Sequence, residues 1–263
     1  MMEAFGDKPP RKEFWLAFKV SSLERLNQMQ NGLLYMNSLE YFSRLPSEEL
    51  LPLRSDDQES LFGIWRAGQN GKVLSTLSIS IDGSKDEIDL GPEAVLTASL
   101  TDAKNYVLFC MGSFVDSDRN NDTEGEFQLD ERFASFGTHI LLINNSKEFG
   151  NRISKAIAGN EGVFGTSFTH DGVGLVSYKD LSSYFGSKGL YIKDERYSWQ
   201  RELRLVFRVD SHMLNKQGAF ELNIGDISDI STICTVQSLI DEPIKFKMRK
   251  YKIVDSKPLL IDN

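Results

Sequence analysis

Short apolar runs, some alternating with polar residues and separated by turn residues, recur along this chain and predict strands more often than helices. Phe14 to Val20 reads as a strand, and Ser21-Ser22-Leu23-Glu24 follows it. A serine with a glutamate three residues on is a capping box, here opening a helix to about Gln30. Gly32 ends that helix. Leu33 to Met36 predicts a second strand, after which Asn37 or Ser38 caps a short helix carrying Leu39, Tyr41 and Phe42. Leu74 to Ile81 is strongly β-like, and Ala94 to Leu100 and Tyr106 to Met111 add two strands to an antiparallel middle. Thr138 to Ile143 is an apolar strand, and from Asn145 a helix repeats Phe149, Ile153 and Ile157 every fourth position, a stripe that should lie on a sheet. Val163 to Phe168 and Gly174 to Tyr178 flank His170-Asp171-Gly172 as a hairpin, because Asp-Gly tolerates the positive φ of such turns. Leu203 to Val209, Ala219 to Ile224, Ile230 to Val236 and Ile244 to Tyr251 complete a strand-heavy C-terminal half.

This order of elements places the chain in the α+β class, with mixed, largely antiparallel sheets and a few packed helices. No internal repeat and no long linker interrupts it, so residues 1–263 are expected to form a single domain. Asp116 to Glu126 is almost free of apolar side chains and predicts a mobile acidic loop. Apolar residues make up 40% of the chain, enough for a core. The net charge is -8 with both signs scattered, which argues against an electrostatically driven nucleic-acid or membrane binder. No apolar run approaches the ~20 residues of a membrane span. The opening Met-Met-Glu-Ala-Phe-Gly-Asp has no signal-peptide pattern, so a cytoplasmic location is expected. Cys110, inside the apolar run from Tyr106 to Met111, is expected to be a reduced, packed thiol, and no disulfide to Cys234 is expected.

Chemistry-bearing residues narrow the field by elimination. Asp116, Asp118, Asn120 and Asp122 alternate as calcium ligands do, but the glycine and glutamate of an EF-hand loop fall on Asn121 and Phe127, so a solvated loop is the better reading. His139, His170, His212 and two distant cysteines give no zinc spacing, and no metal is expected. Gly172-Val173-Gly174 and Gly162-Val163-Phe164-Gly165 lack the third glycine and the strand-to-helix setting of a dinucleotide fingerprint and read as turns. On a strand, Lys245, Lys247 and Arg249 share one face, either a phosphate-binding surface or, more simply, an edge strand kept soluble by its charges.

Two clusters carry sharper hypotheses. In extended chain, Gln200, Glu202 and Arg204 point to one side while Arg201, Leu203 and Leu205 point to the other. An amide and a carboxylate then emerge together beside Tyr197 and Trp199, at the start of a strand. The plain alternative makes Glu202 a strand residue salt-bridged to Arg204. The second cluster is Arg54-Ser55-Asp56-Asp57-Gln58-Glu59, a solvated loop or helix cap by itself. Folded over a cleft, Arg54 grips a phosphate bidentately and a carboxylate holds a sugar hydroxyl.

Gly32-Leu33-Leu34-Tyr35-Met36-Asn37-Ser38-Leu39-Glu40-Tyr41-Phe42, Arg54-x-Asp56-x-x-Glu59, Phe136-Gly137, Phe149-x-x-Arg152, Gln200-x-Glu202-x-Arg204 and Ile224-Gly225-Asp226-Ile227-Ser228 together resemble a family of uncharacterised bacterial proteins catalogued as a domain of unknown function. That resemblance spans most of the chain and implies that these segments belong to one site or scaffold. The order strand, helix, Gly-Leu-Leu-Tyr strand and a late Gln-x-Glu at a strand start is also similar to ADP-ribosyltransferase-like folds, whose catalytic glutamate sits in a Gln-x-Glu or Glu-x-Glu turn. The first-strand His or Arg that such folds use against NAD falls near Phe18 or Lys19, which departs from the pattern.

The second resemblance implies NAD as substrate and an ADP-ribosyltransferase or NAD glycohydrolase, in the setting of a bacterial toxin or anti-phage defence effector. Glu202 then stabilises an oxocarbenium-like ribose, and Gln200 orients the acceptor or water. Tyr35 and Trp199 stack on the nicotinamide, Arg54 takes the pyrophosphate with Asp56 and Glu59 nearby, and Lys19 contacts a phosphate. The alternative is a nucleotide-sensing or nucleic-acid-binding module without catalysis, using Arg54, Lys245, Lys247 and Arg249 on phosphates. A third reading, a non-catalytic interaction protein, expects Gln200 and Glu202 to be buried in ordinary strand contacts.

Overall fold

The computed structural model describes residues 14–44, 61–70, 73–80, 87–115, 124–164, 172–247, 250–254 and 257–261. The chain is a strand-rich α+β protein with mostly antiparallel sheets and few helices. It divides into two compact units, one made of Met1–Pro10, Leu34–Cys110 and Ile157–Leu222, the other of Arg11–Leu33, Met111–Ala156 and Asn223–Asn263. Because each unit draws on three separated segments, no single linker in the sequence marks the division.

In the first unit the strand Glu202–Val209 takes antiparallel partners from Val163–Phe164 and Val173–Leu175 and neighbours the strand Tyr106–Val115. Leu33–Ser38 joins Tyr106–Val115 through Asn37 opposite Leu108 and Ser38 opposite Val107. Leu39, Tyr106, Leu108, Leu190, Tyr191 and Val206 form the buried cluster beside these strands. Asn105, also buried, ties the end of Glu202–Val209 in place by donating to the Val209 carbonyl at 2.7 Å. Leu61–Arg66 lies between Gly186–Ser187 and Val95–Ser99 in a separate three-stranded sheet. Ser177–Lys179 and Ile192–Asp194 form a short parallel pair with Tyr178 opposite Lys193.

In the second unit Phe14–Ser21 sits between the distal half of Tyr106–Val115 and His139–Ile143, and Ser231–Thr235 pairs on the outer side of His139–Ile143. Phe18, Phe114, Phe127, Phe133 and Phe246 build an aromatic core of tilted and edge-on contacts 4.9 to 5.7 Å apart between ring centres. Phe18 also explains a glycine in mid-strand, since a Cβ on Gly112 would stand 2.1 Å from its ring. The helix Ser146–Ala158 buries Phe149 and Ile153, as its apolar stripe requires.

Most sequence-predicted elements are present, and the departures have local causes. The first strand extends through Ser21, so the helix Leu23–Gln30 is capped by Ser22, which accepts from Arg25 N–H, in place of the Ser21–Glu24 box. Ser38 caps the next helix by accepting from Tyr41 N–H at 3.2 Å. The continuous strand expected over Leu74 to Ile81 is two short strands, Val73–Ser75 and Ser78–Ser80, paired to different partners. Of the strand expected over Ile244 to Tyr251, Ile244–Lys247 and Lys250–Val254 are strands with different partners, and residues 248–249 lie outside the described residues. Of the expected hairpin, the described parts Val163–Phe164 and Val173–Leu175 each pair with Glu202–Val209, and the segment between them lies outside the described residues. At the distal end of the expected acidic loop, Glu124–Phe127 is a strand antiparallel to Ile244–Lys247. Residues 116–123 lie outside the described residues, as does the turn His170-Asp171.

Candidate functional site

The Gln200-Arg201-Glu202 segment is not extended. Gln200 ends the 3-10 helix Glu195–Gln200, Arg201 takes a left-handed backbone at φ 48°, and only from Glu202 does the strand begin. Arg201 is the sole non-glycine residue with positive φ among the described residues. A bulky side chain at that φ is a strained conformation that persists only where its surroundings dictate it. The elbow brings the two neighbouring side chains onto one cation. Lys193 Nζ donates to Gln200 Oε1 at 3.0 Å and to Glu202 Oε2 at 3.3 Å.

Arg204 completes the cluster from the same strand face as Glu202. Its Nε donates to Glu202 Oε1 at 2.7 Å, a second nitrogen to Glu202 Oε2 at 3.3 Å, and a third to the Leu190 carbonyl at 2.6 Å. Lys193 lies 5.0 Å over the Tyr197 ring. The Glu202 backbone is fixed as well, its N–H donating to the Tyr178 hydroxyl at 2.9 Å and its carbonyl accepting from Val176 N–H at 2.9 Å. Lys193, Tyr197, Gln200, Glu202 and Arg204 are all buried; Glu202 is 6% exposed and Arg204 1%.

Electrostatics follow from that enclosure. Burial by itself raises the Glu202 carboxyl, but the charges of Arg204 and then Lys193, together with the hydrogen bond from Arg204, outweigh it and hold the group well below the usual carboxylate range. Burial pushes the Tyr178 phenol up, and the nearby Glu202 charge adds to the effect, so this hydroxyl stays protonated. Glu202 is therefore favoured as an anion, with its two oxygens bonded to two cations. Its cluster is the ion pair that the plain reading of Glu202 beside Arg204 expects, enlarged by Lys193 and Gln200.

The other sequence-predicted site residues are distributed as follows. Trp199 is buried in the 3-10 helix that leads to the elbow. Tyr35, on Leu33–Ser38 in the same unit, is 41% exposed. Lys19 is half-buried on Phe14–Ser21 in the other unit. Arg54, Asp56 and Glu59 lie outside the described residues, as does Arg249. Lys245 is exposed and stands opposite Glu126, a cross-strand pair of opposite charges that suits a solvated strand. Tyr178 and Lys193 were not singled out from the sequence. The parallel pairing that places them side by side joins short segments with no distinctive pattern.

A second polar cluster gathers around Arg152. Arg152, on the helix Ser146–Ala158, forks onto Asp229 at 2.6 and 2.8 Å, reaches Glu148 at 2.9 Å and donates to the Asp226 carbonyl. Asp229 first, then Glu148, hold its guanidinium above the ordinary arginine range. These contacts are largely solvent-facing, so Arg152→Met is expected to lower the melting temperature slightly. The deficit should shrink in high salt, which a thermal melt series in rising sodium chloride reads directly.

Nearby, Gly32 at φ +102° lies so close to Gly225 that an added Cβ would stand 2.4 Å from the Gly225 carbonyl oxygen. Ile224 N–H donates to the Gly32 carbonyl at 2.9 Å, and Ile227 N–H to the Gln30 carbonyl at 2.8 Å. Gly137 is equally constrained, its Cβ position lying 2.2 Å from the Ser21 backbone. The motif segments around Gly32, Gly137, Arg152 and Ile224 to Ser228 thus meet as backbone joints and a surface ion cluster. No group of histidine, cysteine, aspartate and glutamate suited to a metal occurs among the described residues. None of the described helices is long and apolar enough to cross a membrane. Comparison with protein-family models, with curated proteins and with solved structures finds no match to the chain.

Proposed function

We propose that Gln200, Glu202, Arg204 and Lys193 form a structural charge network, and that the protein acts by binding a partner through its surface. One observation carries this reading: the Glu202 carboxylate is 6% exposed, with both oxygens bonded to cations. A carboxylate stabilises a developing oxocarbenium ion by facing it with uncompensated negative charge. Two cations within hydrogen-bond distance cancel that field at its source. Burial of Gln200 and Glu202 in strand-start contacts is the arrangement expected of a non-catalytic interaction protein.

A second reading is favoured by the strained elbow. Outlying backbone angles concentrate at functional sites, and Arg201 at φ 48° stands between the amide and the carboxylate of the Gln-x-Glu motif. On that reading the chain has an ADP-ribosyltransferase-like core and consumes NAD, with Glu202 as the catalytic carboxylate and Gln200 orienting the acceptor. Its biological setting is that of a bacterial toxin or anti-phage effector. Incubating the protein with NAD and measuring released nicotinamide separates the two. The binding reading expects no release above buffer from wild type or Glu202→Gln. Release by wild type that Glu202→Gln abolishes, with the variant still folded, overturns it in favour of the enzyme.

A further inference from the structure

The strands Ser78–Ser80 and Glu87–Asp89 form a two-stranded ribbon of their own, with Ile79 opposite Ile88 and Leu90 N–H donating to the Leu77 carbonyl at 2.7 Å. Directly opposed residues share a face, and so do residues two apart on one strand. Leu77, Ile79, Ile88 and Leu90 therefore form one apolar face. Glu87 and Asp89 stand on the other, opposite two serines. The apolar face is not put away: Ile79 is 40% exposed, Ile88 49% and Leu90 42%. No third described strand pairs with either edge. A two-stranded ribbon is marginal in water by itself and gains stability from a third strand or a covering face.

Charge selects the occupant. From Leu77 to Leu100 the chain carries five acidic residues and one lysine, so a second copy of this ribbon adding at its edge sets like charges against each other. Glu87 accepts only a serine hydroxyl at 3.2 Å and Asp89 the Gly91 N–H at 2.8 Å among the contacts made within the ribbon, and both carboxylates face solvent. We propose that the Glu87–Asp89 edge accepts an extended partner strand of alternating apolar and basic residues. Its apolar side chains extend the Ile88 and Leu90 face, and its lysines or arginines lie beside Glu87 and Asp89. The proposal extends the binding reading by naming the partner's chemistry. It rests on residues separate from Glu202, so peptide binding and nicotinamide release fail independently.

The test uses the full chain and short fluorescent peptides at physiological salt, read by anisotropy. A peptide alternating lysine and valine is expected to bind roughly tenfold tighter than a peptide of the same composition with its lysines and valines in separate blocks. The double variant E87K/D89K, with an unchanged thermal melt, is expected to prefer an alternating glutamate-valine peptide instead. Ile88→Ser should weaken both complexes, whereas Leu23→Ser, at an exposed leucine of the other unit, should not. Equal binding of the alternating and block peptides reduces the effect to bulk charge and overturns the proposal. So does an unchanged preference in the double variant, or self-association in sedimentation that Ile88→Ser abolishes while peptide binding is absent.

Discussion

Glu202→Ala is expected to destabilise the protein by about 3–5 kcal/mol, because it leaves the buried guanidinium of Arg204 and the ammonium of Lys193 without their shared anion. In a chain of this size that corresponds to a fall in melting temperature on the order of 10 °C. Calorimetry or a urea melt measures it. Replacing the whole cluster by apolar residues, as Glu202→Leu with Lys193→Met and Arg204→Met, should recover much of the loss. A buried ion pair returns little more than its own desolvation cost, whereas a buried charge that loses its counter-ion keeps most of that cost. If the triple variant is less stable than Glu202→Ala alone, the cluster is more than a neutralised strand start.

The same carboxyl sets a pH dependence with a definite sign. Its folded-state affinity for protons is depressed below the unfolded reference of 4.5, so its contribution is fully present above that value and is lost as pH falls through the folded-state titration. The gap in melting temperature between wild type and Glu202→Gln should therefore stay constant from neutral pH into the mildly acid range. It should close only under strongly acidic conditions. A gap that opened on acidification would show the opposite linkage and refute the ion-paired assignment.

Gly32→Ala is expected to cost about 3 kcal/mol or more, from two sources that act together. The φ of +102° disfavours any side chain, and the new Cβ meets the Gly225 carbonyl oxygen at 2.4 Å, with the Gly225 nitrogen 2.8 Å away. Backbone atoms held by the Ile224-to-Gly32 hydrogen bond cannot swing aside as a side chain does. Gly91→Ala is the control. It has φ +81° but open space around its Cβ, and it should lose only about 1–2 kcal/mol for the left-handed backbone. Chemical denaturation of the two variants side by side measures the difference. Equal losses would mean that the approach to Gly225 carries no weight.

The fold class and most element positions were legible in the sequence because they rest on short-range rules. Apolar, strand-forming runs marked Phe14–Ser21, His139–Ile143 and Glu202–Val209, the four-residue stripe marked Ser146–Ala158, and a serine at the right offset marked the helix after Ser38. The Glu202–Arg204 pair was also within reach, since residues two apart on a strand share a side. Partners far along the chain were not. Nothing in a window around Leu74 to Ile81 says that its two halves pair with different strands, and nothing near Val163 says that its strand joins Arg208 and Val209.

Only the tertiary structure decided what surrounds the Gln-x-Glu motif. Read as an extended segment it offers an amide and an acid to solvent. Folded, the left-handed turn at Arg201 and the arrival of Lys193 from a neighbouring strand enclose both. The sequence determined which groups carry charge and which faces the strands prefer, since those follow from local sterics and side-chain chemistry. Whether a charge is met by water, by a substrate or by two buried cations depends on long-range packing, and for Glu202 packing supplied the cations.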